Sequence, residues 1–242
     1  MEKPKLPVRP SFLPPLVRKE RKNDIYTHLR KLYEARDPDD EVRYTDSGLV
    51  ILEAEEAIRH IETLKSTGQN CIIYCDSINT ARDFFLKYAS TESLRLGREL
   101  IMFEDYAAVL AKFGQEYCRD HYFVFVSINA SILDPIESSQ YWVDQDASGK
   151  RGWIVTHPRT QWIDMMTSNE GSSGILFFEK LASSTIEVQR WLRPIFEIKR
   201  PQIWQWPIMG NWQILSISLH PDKDFNLGIS LKDRLAPFYL DI

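Results

Sequence analysis

Between Gly48 and Asn129 the sequence alternates short apolar runs with longer amphipathic ones, and this rhythm restricts the fold more than any other feature. A buried parallel strand that feeds a helix and then returns is how an open α/β sheet is wound. The centre of the pattern is Asn70-Cys-Ile-Ile-Tyr-Cys-Asp76, followed by Ser77-Ile-Asn-Thr-Ala-Arg-Asp-Phe-Phe85. The expected fold class is therefore α/β: a three-layer, Rossmann-like or RecA-like domain with a mainly parallel sheet.

The periodicity assigns the remaining elements. Residues 49–52 read as a short strand or as the start of a helix that runs to 67, where Gly68 stops it. Residues 70–76 form a strand, and Ser77 or Asn79 caps a helix over 80–89. Residues 100–103 are the next strand, 106–118 the next helix, and 122–126 a central strand. Further strands are expected over 153–156, 175–178, 213–219 and 227–231, with a helix over 184–196 that Pro194 breaks or kinks. The regular β/α part spans about 46–180, and an aromatic, β-rich section spans about 195–242. All seven tryptophans fall after residue 141.

Ahead of this domain, residues 1–22 hold seven Lys or Arg against two Glu, with Pro4, Pro7, Pro10, Pro14 and Pro15 interleaved. Such a segment favours extended conformations over helix, so a basic, disordered arm is expected before a single domain over 23–242. A helix is predicted over 24–35. The whole chain of 242 residues is 43% apolar and 26% charged, which suits one large globular domain. Its net charge of −4 argues against wholesale coating of nucleic acid, although the arm could touch it locally. Three cysteines, Cys71, Cys75 and Cys118, form no disulfide framework. With no signal-like start and no apolar run of roughly 20 residues, the chain is expected in the cytoplasm or nucleus, away from membranes.

Ligands of parallel sheets sit beyond the carboxyl ends of the strands. Those ends present Asp76 and Ser77, Glu104 and Asp105, Ser127 and Asn129, and Thr156 and His157. An enzyme of unrecognised type would place its site at Asp76, Ser127 and His157. The same residue types also serve as ordinary caps of strand-to-helix loops. A second possibility lies in Ile195-Phe-Glu-Ile-Lys-Arg-Pro201, which resembles the Glu-x-Lys strand of PD-(D/E)xK nucleases. That resemblance implies Glu197 as a metal ligand and Lys199 as the group that positions water, with Asp164 or Glu179 as the second carboxylate.

The helix, the strand at 70–76, its Asp-Ser turn and the next helix resemble the opening of the C-terminal RecA-like lobe of superfamily 2 helicases. In this comparison 122–131 matches the family's strand ending in Thr, Ile132-Leu-Asp134 stands for its Gly-Ile/Leu-Asp element without the glycine, and His157 with Arg159 echoes its arginine finger. The chain has no phosphate loop of the form Gly-x-x-x-x-Gly-Lys-Ser/Thr and no Gly-x-Gly-x-x-Gly. The resemblance therefore implies a degenerate lobe that keeps the fold without the motor. Neither a cofactor nor a metal is expected. The leading expectation is a non-catalytic subunit that scaffolds protein partners in a larger, nucleic-acid-associated complex. Its contacts would come from Phe12, Leu13, Leu16 and Val17 of the arm and from Trp204, Trp206 and Trp212, a cluster hard to bury in one short loop.

Overall fold

Asn70–Cys75 is buried along nearly its whole length, and Ser173–Glu179 along all of it. Strands without a solvent face belong inside a parallel sheet covered on both sides. That is the arrangement in the computed structural model, which describes residues 43–134, 142–145, 151–155, 161–168, 172–197, 201–203, 206–219 and 227–242. All of them belong to one compact unit, 43–242.

In chain order the first elements are β1 (Ile51–Glu53), α1 (Ala54–Ser66), β2 (Asn70–Cys75), α2 (Ile78–Arg95), β3 (Glu99–Met102), α3 (Phe103–Phe113), α4 (Gln115–His121) and β4 (Tyr122–Asn129). There follow β5 (Trp142–Gln145), β6 (Arg151–Val155), α5 (Gln161–Ser168), β7 (Ser173–Glu179), α6 (Ile186–Leu192), β8 (Gln202–Ile203), β9 (Trp206–Pro207), β10 (Asn211–Leu219), α7 (Ile229–Lys232) and β11 (Leu235–Asp241). Seven strands form one sheet in the order β1-β11-β2-β10-β7-β4-β3, and every neighbouring pair is parallel. Two antiparallel pairs, β5 with β6 and β8 with β9, lie outside it.

Strand side chains alternate between two apolar layers. Cys71 and Ile73 of β2, Phe125 of β4, Phe177 of β7 and Ile217 of β10 pack with Ala57 and Ile61 of α1 and with Ala81 and Phe85 of α2. Ile72, Val124, Leu176 and Phe178 face the other way, toward Tyr106 of α3, Cys118 of α4, Trp162 and Met166 of α5, Leu192 of α6 and Leu231 of α7. Each large side chain buried in this way contributes about 2 kcal/mol. From β2 the chain crosses over the α1 and α2 layer to β3 at the far edge. It then returns through β4, β7 and β10 over the opposite layer. β2 and β10 are thus neighbours whose outgoing connections leave by opposite faces, the position at which open α/β sheets take ligands.

The expected fold class is the one observed, and several details differ. The strand over 153–156 forms as β6, but it pairs antiparallel with β5 outside the seven-stranded sheet. Residues 227–231 hold helix α7 rather than a strand, with the Gly228 carbonyl accepting from the amides of Leu231 and Lys232. The helix expected over 106–118 is two helices broken at Gly114, which sits at φ 81°. α6 stops at Leu192 and tightens into a 3₁₀ turn over Arg193–Phe196, since Pro194 has no amide hydrogen to continue it. β4 is second from the edge, whereas β10 is the middle strand. The C-terminal strands β10 and β11 flank β2 on either side and so belong to the same sheet. The arm over 1–22 and the helix over 24–35 lie outside the described residues. No described helix is long and apolar enough to cross a membrane.

Packing is close where β7 meets both β4 and β10. A Cβ placed on Gly174 would stand 2.0 Å from the Val124 carbonyl oxygen and 2.7 Å from the Trp212 ring. Only glycine lets the indole close over β7 at this point. Gly174→Ala is therefore expected to lower stability by about 3 kcal/mol, read as the shift in urea midpoint. An unchanged midpoint would show that the β4 backbone at Val124 and the Trp212 ring both give way without cost.

Candidate functional site

The turn after β2 is two residues long, Asp76 and Ser77. Ser77 is the N-cap of α2: its hydroxyl oxygen accepts from the Thr80 amide at 3.3 Å. Asp76 is exposed and hydrogen-bonded to Tyr239 at the carboxyl end of β11. Burial and that bond together push the Tyr239 hydroxyl well above the ordinary tyrosine range. The mouth of the β2 crevice is thus acidic, and its helix cap is already filled.

Two strands away, Glu179 ends β7 with only 4% of its surface exposed. Arg82, in the second turn of α2, grips it with both prongs: Nε to Oε1 and Nη2 to Oε2, each at 2.6 Å. Ser127 of β4 donates its hydroxyl to Oε1 at 2.5 Å. Burial raises the Glu179 carboxyl, but the hydrogen bonds from Arg82 and Ser127 outweigh it and hold the group below its ordinary range. The same bond raises the Arg82 guanidinium. Such a carboxylate is a poor general base, because its proton affinity has been lowered and its lone pairs are engaged. The next residue, Lys180, is left-handed at φ 55° and ψ 37°. This bend drops the chain from β7 into a 3₁₀ turn whose Ala182 amide donates to the buried Ser218 hydroxyl on β10 at 2.8 Å.

The sequence-based candidates do not converge. Asp76 on the β2 end and Ser127 on β4 are three strand spacings apart, about 14 Å. His157 lies outside the described residues, and β6, which precedes it, is not in the parallel sheet. Ser127 instead meets Arg82 and Glu179. Sequence reasoning missed that grouping because its members lie 97 and 52 residues apart. The available signal was a carboxylate closing the apolar run Ile175-Leu-Phe-Phe178, where only a partner can keep it charged.

Glu197 follows a 3₁₀ turn rather than lying in a strand, and it pairs with Arg234 at 2.6 Å. The preceding carbonyl, of Phe196, accepts from Asn70 at the start of β2, so Glu197 sits by the amino edge of the sheet and Glu179 by the carboxyl edge. Lys199 lies outside the described residues, as does the side chain of Asp164. Among the described residues no group of three or more His, Cys, Asp or Glu could hold a metal ion. Phe12, Leu13, Leu16, Val17 and Trp204 are also outside them, and Trp206 is placed only as a backbone position in β9. Trp212 is the second residue of β10 and half-buried, packed against the larger apolar layer with its Nε1 buried and without a hydrogen-bond partner. Cys71 and Cys75 share the α1/α2 layer, and burial pushes both thiols up to about 12.

No family model matches the sequence, and no curated protein is detectably similar to it. Solved structures of NtrX from Brucella abortus match at low similarity. The complex with ADP gives 16% identity and a TM-score of 0.34, covering 93% of this chain and 41% of that one. A second NtrX structure gives 15% and 0.36, covering 93% and 43%, and the complex with ATP gives 15% and 0.34, covering 93% and 42%. The chain thus spans less than half the length of these proteins, and nothing about its function rests on the likeness.

Two outcomes are expected from this geometry. Arg82→Ala should cost about 2 kcal/mol at neutral pH, less than for a fully buried pair because the Arg82 side chain is 38% exposed. Glu179 has a lower pKa folded than unfolded, so the pair's contribution is complete above the ordinary Glu value of about 4.3 and is lost as the pH falls through the folded value. The stability gap between wild type and Arg82→Ala should then narrow at acid pH; a gap of constant size in urea titrations would remove the charge coupling. Separately, Cys71 and Cys75 should resist a thiol reagent at about pH 8 until the chain is unfolded, and rapid native labelling would contradict their burial.

Proposed function

We propose that this chain is a non-catalytic, Rossmann-like or RecA-like subunit that holds partner proteins within a larger intracellular assembly associated with nucleic acid. The observation that carries the reading is that the carboxyl ends of β2 and β7 are engaged by the protein's own groups. Cradling a nucleotide phosphate takes a glycine-rich loop that wraps the anion in backbone N–H groups. Here two residues join β2 to α2; the first brings a carboxylate and the second spends its hydroxyl on the helix cap. At β7 the carboxylate that could assist a reaction is held by Arg82 and Ser127.

A nuclease built on Glu197 and Lys199 would need a second carboxylate beside Glu197. Glu197 is engaged by Arg234, and Glu179 stands at the other edge of the sheet. With the β2 and β7 ends engaged in this way, the domain serves as a platform. Partner contacts then fall to Phe12, Leu13, Leu16 and Val17 of the basic arm and to Trp204, Trp206 and Trp212. Nucleic acid, where it is touched, meets the seven basic residues of 1–22.

Affinity capture of the full chain from its native cells should recover a stoichiometric partner that is lost when residues 1–22 are deleted. Titration with ATP and ADP should show no saturable binding, and magnesium or manganese should elicit no cleavage of DNA or RNA. Recovery of the chain alone in both captures, or turnover abolished by Asp76→Asn or Lys199→Ala, would overturn the reading.

A further inference from the structure

We draw no further inference here: the strongest candidate, the edge of the sheet along β3 with Leu94 and Leu96 exposed just before it in the chain, is a face for which nothing in the structure shows what covers it.

Discussion

The architecture depends on how α2 is fastened beneath the sheet. β2 and β3 are consecutive in the chain but four positions apart in the sheet, about 19 Å, and one helix must span that distance. α2 has 18 residues and is about 27 Å long, which suffices. Three polar contacts fix it in place. Arg82 binds Glu179 near its start, Tyr88 donates to Gln213 of β10 at 3.1 Å near its middle, and Arg98, just past its end, donates to Ser173 of β7. Each joins the helix or its exit to a strand it crosses, so β10 and β7 are locked between β2 and β4.

The Arg82 and Glu179 pair is costly to bring out of water, and an apolar pair of the same shape could be as stable. Its value lies in direction. Apolar packing under a parallel sheet tolerates sliding, whereas a two-pronged guanidinium contact with a third bond from Ser127 admits one alignment of α2, β4 and β7. The same fastening fills the carboxyl end of β7. A carboxylate that accepts three internal hydrogen bonds, two on Oε1 and one on Oε2, is held in one place and has little acceptor capacity left over.

How far the sequence discloses these features follows from the range of the interactions involved. The strands β2, β4, β7 and β10 are legible because they are runs of apolar residues bounded by polar turns, a signal carried within a few residues. The break of α3 from α4 at Gly114 and the stop of α6 before Pro194 are local too, and the first was overlooked because Phe113 and Tyr117 continue a helical spacing across it. The site was legible only in part. Ser127 and Asp76 stand out as strand-end residues, but their partners Glu179 and Tyr239 are strangers in sequence. Glu197 and Lys199 resemble a metal motif by composition alone, and the 3₁₀ turn before Glu197 takes it out of a strand setting.

The sequence by itself determined the α/β class, the alternation of buried strands and covering helices, and the absence of phosphate-binding loops, because periodicity, glycine placement and side-chain polarity are properties of short stretches. Only the tertiary structure decided that β11 and β10 flank β2, that β6 leaves the parallel sheet, and that Ser127 serves Glu179 rather than Asp76. Strand order is set by which crossovers can be covered on both faces at once, and that is a condition on the whole chain that no segment expresses alone.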